Sequence, residues 1–242
     1  MPVTPDISTA TAVLLAGGLG TRLRSVLADR PKVLAPVAGR PFLAWLLEQV
    51  SAAGIRRAVL CTGHLAHQVE AAFGDRWGDV QLVYSEEAEP LGTGGALRHA
   101  LPHLGAGPCF VLNGDSCCAT PLAPLWQHHA LRGARATLLA TLVPDAARFG
   151  RLEADATGHV TGFHEKDGRH APAWINAGVA VVARGVIERI PPARPASLEH
   201  EVWPALIGQG LIVLRRVAPF VDIGTPEDFA IAARVLAPAG VG

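Results

Sequence analysis

The feature that most constrains this chain is an apolar run that breaks into glycines: Leu14-Leu15-Ala16-Gly17-Gly18-Leu19-Gly20-Thr21-Arg22-Leu23, closed further on by Pro31-Lys32. The apolar residues read as a buried strand. Gly17, Gly18 and Gly20 clear side chains from the turn that follows and can adopt positive φ, so successive N–H groups can converge on an anion. Arg22 and Lys32 supply the positive charge a polyphosphate needs. Two other phosphate loops fail on the same residues. A P-loop ends in Gly-Lys-Ser/Thr, and the chain has no Gly-Lys pair. The dinucleotide fingerprint needs a third small residue where Leu23 stands and an acid after the second strand, where Val59-Leu60-Cys61-Thr62-Gly63 offers none. P-loop ATPases and kinases and NAD-dependent enzymes fall away.

With 242 residues, half of them apolar and 17% charged, the chain can bury the core of one domain. Lys+Arg and Asp+Glu balance at 21 each, so no summed field draws in a polyanionic polymer. Nucleic acid is therefore not an expected partner, and a phosphate ligand should be a small metabolite held by local groups. Met1–Asp6 lacks the basic start and apolar run of a secretory signal, and no segment approaches the roughly 20 apolar residues of a membrane span. A cytoplasmic protein without membrane contact is expected. Cys61, Cys109, Cys117 and Cys118 show no CxxC spacing and read as reduced, buried thiols. His64/His67 and His128-His129 lack an HExxH context and read as solvated helix faces.

After a lead-in over residues 1–10, strand-like runs alternate with helical patterns, which predicts a parallel sheet. The expected strands are Ala12–Ala16, Ala58–Thr62, Val80–Tyr84, Cys109–Asn113 and Thr137–Leu142. Phe42, Trp45, Leu46 and Val50 recur at helical spacing behind Pro41, and further helices are expected over His64–Phe73, from near Thr93 and from near Pro121. Past residue 143 the pieces are shorter: Arg151–Glu153, Val160–Glu165 and Trp174–Val182, then a helical Leu198–Ile207, a strand Leu211–Val217 and a helix after Pro226. The reading is a single α/β domain over 1–242: a Rossmann-like mixed, mostly parallel sheet flanked by helices over 11–143, and a small strand-rich lobe over 144–242. No repeat of 20–50 residues or hexapeptide ladder is present.

In open α/β sheets ligands sit beyond the carboxyl ends of the strands, and the polar motifs of this chain collect there. Strand one ends in the glycine loop, strand three runs into Glu86-Glu87-Ala88-Glu89-Pro90-Leu91-Gly92-Thr93-Gly94-Gly95, and strand four ends at Asn113-Gly114-Asp115. Asp115 would project a carboxylate suited to a hard cation such as Mg²⁺.

The residues now resemble the sugar-phosphate nucleotidyltransferases, which join a nucleoside triphosphate to a sugar 1-phosphate and release pyrophosphate. The likeness runs through LAGGLGTRLRSVLADRPKVLAPVAGRP (Leu15–Pro41), PLGTGGAL (Pro90–Leu97), NGD (Asn113–Asp115), FGRL (Phe149–Leu152), FHEK (Phe163–Lys166), INAG (Ile175–Gly178) and VDIGTPEDF (Val221–Phe229), nearly the whole chain. Within the family the wording is most like D-glycero-α-D-manno-heptose 1-phosphate guanylyltransferases of surface-polysaccharide synthesis, with mannose-1-phosphate guanylyltransferases close behind. The resemblance implies a nucleotidyltransferase (GT-A-like) fold with GTP, a sugar 1-phosphate and Mg²⁺ as its small-molecule partners. It makes Gly17, Gly18, Gly20 and Thr21 a backbone cradle for the triphosphate beside Leu15 and Ala16, with Arg22 on the β and γ phosphates. Lys32 would reach the α-phosphate and the sugar phosphate, and Asp115 and Asp222 would hold the metal. Asn113, Gly150, Glu165, Asn176 and Gly178 resemble the sugar side, with Lys166 on its phosphate.

That chemistry suits these residue types. Two polyanions must meet, the attacking phosphate is already ionised, and charge neutralisation with positioning replaces any protein nucleophile. Guanine presents N1–H and an exocyclic amine together, which one carboxylate can accept. Glu87, five residues before Gly92, stands where the resemblance puts the base reader, with backbone groups near Gly92-Thr93-Gly94 completing the contact; Glu86 or the backbone alone are the alternatives. Asp167-Gly168-Arg169-His170-Ala171-Pro172 departs from the family, many of whose members place a proline right after the lysine, so the loop over the sugar can differ. A uridylyltransferase and a catalytically silent sugar-nucleotide sensor are the other readings; the presence of Arg22, Lys32, Asp115 and Asp222 together argues against the silent one. The sugar and the oligomeric state stay open, a homodimer being one option.

Overall fold

A computed structural model describes residues 5–18, 30–164, 168 and 170–236. In chain order the strands and helices are β1 (Thr11–Leu15), β2 (Pro36–Val37), β3 (Arg40–Pro41), α1 (Phe42–Ala52), β4 (Arg57–Thr62), α2 (Ala66–Phe73), β5 (Arg76–Trp77), β6 (Val80–Glu86), α3 (Gly92–His99), β7 (Cys109–Asn113), β8 (Ser116–Cys118), α4 (Ala123–Arg132), β9 (Ala136–Val143), β10 (Arg151–Ala154), β11 (Val160–His164), β12 (Ala173–Val182), α5 (Arg184–Glu188), α6 (Trp203–Leu206), β13 (Leu211–Arg215), β14 (Phe220–Asp222) and α7 (Pro226–Leu236). Among the described residues no helix is long and apolar enough to cross a membrane.

A ten-stranded mixed sheet runs β11-β10-β12-β7-β1-β4-β6-β5, with β9 paired to β12 and β13 paired to β9. Its centre, β7-β1-β4-β6, is parallel. Strands buried on both faces are continuously apolar, and their side chains divide by pleat. Ala12, Leu14, Ala58, Leu60, Phe110 and Leu112 enter one core. Val13, Val59 and Val111 enter the other. Helix α1 covers the first face with Phe42, Leu43, Leu46, Leu47 and Val50, all fully buried. Trp45 instead sits at the rim, donating from Nε1 to Val37 O beneath the Arg40 guanidinium.

The expected parallel strand Thr137–Leu142 is placed differently. Strand β9 pairs antiparallel with β12 and parallel with β13, so the chain reverses before it returns to the sheet. The strands after residue 143 likewise extend the same sheet, because β12 pairs directly with β7. Its register slips between Asn176 and Ala180. Gly178 sits in that slip at φ +73°, where a Cβ would come to 3.1 Å from Ser116 and 3.2 Å from Asn113, so a side chain there would be both strained and crowded.

Other boundaries moved for local reasons. Helix α2 starts at Ala66 rather than His64, since Leu65 is left-handed at φ +61°. The helical Leu198–Ile207 divides into a π-helical turn, Leu198–Val202, and the short α6. His129 is not a solvated residue: it faces inward from α4, hydrogen-bonds Thr137 Oγ1 through Nδ1 at 2.9 Å, and burial pushes its pKa down to about 4. All four cysteines are free and buried, with burial pushing the Cys109 and Cys117 thiols up to about 12. Such thiols are poor nucleophiles near neutrality.

Two approaches of backbone to backbone set the sheet edge where the polar motifs meet. Ala16 N–H donates to Cys61 O, and Gly114 N–H donates to Leu15 O at 3.0 Å. A Cβ on Gly114 would fall onto Leu15 O itself. Gly114→Ala should therefore cost about 1–3 kcal/mol of stability as an overpacked site. Urea unfolding of the two chains measures it, and an unchanged midpoint would mean the backbone gives way freely there.

Candidate active site

A cleft of about 510 Å³ opens at the carboxyl ends of β1, β6 and β7. Of the residues singled out in the sequence, Leu15, Ala16, Gly17, Gly18, Lys32, Glu87, Gly92, Thr93, Asn113, Asp115, Gly150, Asn176 and Asp222 line it. Gly20, Thr21, Arg22, Glu165 and Lys166 lie outside the described residues.

The floor is a charged cluster. Asp115 follows β7 by one turn, and Asp222 ends β14, whose antiparallel pairing with β8 sets Asp222 opposite Ser116. Ser116 Oγ lies 3.3 Å from Asp115 Oδ1 and 3.1 Å from Asp222 Oδ2, within donating distance of both carboxylates. Lys32, in a 3₁₀ turn over Lys32–Leu34, donates from Nζ to Asp115 Oδ2 at 2.7 Å. Ile223 N–H donates to Asp115 O, and Gly224 N–H to Asp222 Oδ1 at 2.6 Å. Burial raises the Asp222 carboxyl above its ordinary range and the Asp115 charge raises it further, while the Lys32 ammonium and the hydrogen bonds from Gly224 and Ser116 pull it back. Two hard oxygen donors that the fold brings together and burial leaves poorly solvated are what a small divalent cation offsets. With only two carboxylates it would keep several coordination positions for other oxygen ligands.

Across the cleft stands Glu87. Its Oε2 accepts Leu91 N–H at 2.8 Å, fixing the carboxylate, and burial raises its pKa. The other oxygen lies over Gly17, where a Cβ would approach Oε1 to 3.2 Å. Gly18 has open space in front of it. Neither Gly17 nor Gly18 is left-handed, so these glycines serve clearance rather than an unusual φ.

Gly94 and Gly178 do not line the cleft. Gly94 N–H donates to Ala196 O at 2.8 Å, so that amide is already paired, and Gly178 holds the β12 slip. Asn176 spends part of its side chain on the same slip, its Oδ1 accepting Gly178 N–H.

The cleft also contains residues that the motifs did not mark. Ser197, Glu199 and His200 line it from the π-helical turn. Thr93 Oγ1 donates to Glu199 Oε2 at 2.7 Å and accepts Leu198 N–H at 2.9 Å, while Ser197 Oγ donates to the same Glu199 oxygen. Arg148 stands beside the FGRL motif and lines the cleft, its guanidinium over Phe149 and paired with Asp228 of α7 and with Thr225 just before it. The Thr225 hydroxyl accepts Asp228 N–H, capping that helix, and donates to Asp228 Oδ2. The signal for Arg148 was its adjacency to the motif; for Ser197, Glu199 and His200 there was none, because the bonds from Leu198 and Glu199 that hold their segment on α3 span about a hundred residues of chain.

Residues 11–237 match the model of the nucleotidyl transferase family. The chain belongs to that family. The mannose-1-phosphate guanylyltransferase of Mycobacterium tuberculosis is 40% identical over 222 residues, covering 90% of this chain and 62% of the relative. The D-glycero-alpha-D-manno-heptose 1-phosphate guanylyltransferase of Aneurinibacillus thermoaerophilus is 31% identical over 226 residues, covering 93% of this chain and 97% of the relative. The chain thus spans only 60–62% of the length of the mannose-1-phosphate guanylyltransferases that head its curated relatives. HddC from Yersinia pseudotuberculosis, solved in complex with GMP-PN, superimposes with a TM-score of 0.81 at 31% identity, over 93% of this chain and 98% of that one. In this nucleotidyl transferase the wall made by α3 and the 196–202 segment depends on the Thr93 hydroxyl. Thr93→Val should lower stability by about 1–2 kcal/mol by stranding the Leu198 N–H and one Glu199 contact, and Thr93→Ser should restore it. Denaturant midpoints of the three chains decide it; equal midpoints would remove Thr93 from the clamp.

Proposed function

We propose that this nucleotidyl transferase moves GMP from GTP onto a sugar 1-phosphate and releases pyrophosphate. The observation that carries the reading is the Lys32–Asp115–Ser116–Asp222 cluster facing Gly17 and Gly18 in one cleft with a fixed, desolvated carboxylate at Glu87. The described walls carry four carboxylates, Glu87, Asp115, Glu199 and Asp222, against the cations Lys32 and Arg148. Two phosphate-bearing substrates cannot share such a cleft without more positive charge. Bound at Asp115 and Asp222, Mg²⁺ would supply it and polarise the α-phosphate.

In this scheme an oxygen of the sugar phosphate attacks the α-phosphorus, the bond to the β-phosphate oxygen breaks, and pyrophosphate leaves with the electron pair. Lys32 is held by Asp115 at the point where the two phosphates meet and offsets the crowding of charge there. Arg22 assists the leaving group and Lys166 meets the sugar phosphate. The Gly150 and Asn176 edge takes the sugar, and Glu87 accepts guanine N1–H and the exocyclic amine.

The substrate is D-glycero-α-D-manno-heptose 1-phosphate, for which the full-length match to a relative of that name is the support, and the product would feed surface-polysaccharide synthesis. Mannose 1-phosphate is the second reading, favoured by the 40% identity to a relative named for it. A pyrophosphate-release screen of four NTPs against heptose, mannose, glucose and N-acetylated sugar 1-phosphates separates them.

Asp115→Asn and Asp222→Asn should each cut turnover by on the order of a hundredfold with melting temperature retained. Normal turnover of either at limiting Mg²⁺ would strike that residue from the metal site. Glu87→Gln keeps size but loses an acceptor, so the preference for GTP over ITP, which lacks the exocyclic amine, should shrink by about 1–3 kcal/mol. The ratio of kcat/KM for the two nucleotides reads this directly, and an unchanged ratio assigns the base to Glu86 or to backbone.

A further inference from the structure

The segment that walls the cleft has a second face. Ser197, Glu199 and His200 point to the cleft, whereas Ala196, Glu201 and Val202 line a separate depression of about 350 Å³. Val186, Ile190 and Leu206 continue its apolar lining, and Arg135, Arg189 and Arg194 supply its cations. Among the described residues Arg135 donates to the neutral Gln209 amide oxygen at 3.3 Å and pairs with no carboxylate, and Arg194 pairs with Glu201 at 3.1 Å. Among the described residues the Arg189 guanidinium has no hydrogen-bond or ion-pair partner. A cation after α5 suits that helix's terminal carbonyls, which accounts for Arg189 but not for Arg135 and Arg194, which lie elsewhere. Arg194 is presented by a loop held left-handed at Ala193, φ +55°, a conformation an alanine rarely adopts.

Three guanidiniums and one carboxylate leave two positive charges over an apolar surface, in a chain that is neutral overall. That is the complement of a phosphate monoester, which carries nearly two negative charges near neutral pH and is gripped best by guanidinium forks. The apolar lining asks for a flat or apolar body on the ester. The backbone between the two faces is tightly coupled: Ala196 O accepts both Gly94 N–H and Gly95 N–H, and Ala196 N–H donates to Leu91 O, at the start of α3 beside Glu87's own contact with Leu91. We infer that this depression is an effector site for a small organic phosphate with an apolar or flat body, and that its occupancy is felt in the cleft through residues 196–202. The inference stands apart from the proposed reaction and does not need it.

Phenyl phosphate is the probe, titrated into the intact chain by calorimetry with no nucleotide present, with inorganic phosphate as the comparison lacking a ring. One tighter site for phenyl phosphate is expected. Arg189→Glu, or Arg189→Gln where charge reversal disturbs folding, should weaken it by about tenfold or more, the worth of a charge-assisted hydrogen bond, with melting temperature unchanged. Hydrogen exchange over 92–99 and 196–202 should slow on binding in the parent chain and not in the variant. Equal binding by parent and variant would overturn the site, and binding without a change in exchange over those two segments would overturn its role as an effector.

Discussion

Asp115 and Asp222 come from turns separated by 106 intervening sequence positions and end on either side of one serine hydroxyl, in a pocket where burial alone disfavours the charge on Asp222. Everything around them manages that repulsion. Lys32 takes one oxygen of Asp115, the Gly224 amide takes one of Asp222, and the β8–β14 pairing fixes the spacing between them. The ion pair of Lys32 and Asp115 is partly open to solvent and adds little to stability as a surface pair would. Its importance is local: a positive charge is stationed beside two negative ones, at the end of the strands where the glycine loop begins.

From that cluster the cleft divides into two walls of different construction. The wall carrying Glu87 is rigid, since Glu87 N–H donates to Thr62 O, its carboxylate accepts Leu91 N–H, and Gly17 packs against both Thr62 and Glu87. The opposite wall is assembled from remote pieces. Phe149 meets Phe220 edge-on at 5.5 Å, and Arg148 ties the same loop to the first turn of α7, so the FGRL loop is joined to the Asp222 segment at two points. In the proposed reading, a firmly held carboxylate for a planar base and a wall built from several loops for the sugar would let the second specificity change without disturbing the first.

The glycines of PLGTGGAL illustrate how a motif can serve packing and binding together. Gly92 stands at φ +69° with Ala196 O where its Cβ would be, and a Cβ on Gly95 would meet Leu91 and Arg194 O. The bare backbone lets the 194–202 segment lie against the start of α3, and Thr93 then locks it with its hydroxyl. The segment thereby becomes part of the cleft while its reverse side remains exposed to solvent ligands.

The sequence by itself determined the parallel centre of the sheet, because strands buried on both faces must be continuously apolar and are bounded by helices with their own period. It also marked Lys32, Glu87 and Asp115, since strand ends and glycine turns place chemistry at predictable points of an α/β sheet, while Asp222 was marked through the resemblance carried by VDIGTPEDF. It did not determine where β9 pairs, because an apolar strand fits a parallel or an antiparallel neighbour equally well and the choice rests on β12 and β13. Nor did it separate Gly92, at the cleft, from Gly94, whose amide is taken by Ala196, or Asn176 from Gly178. Those distinctions, like the presence of Arg148, Ser197, Glu199 and His200 in the cleft, were decided by tertiary structure, because each depends on contacts between chain segments whose separation in sequence leaves no periodicity to read.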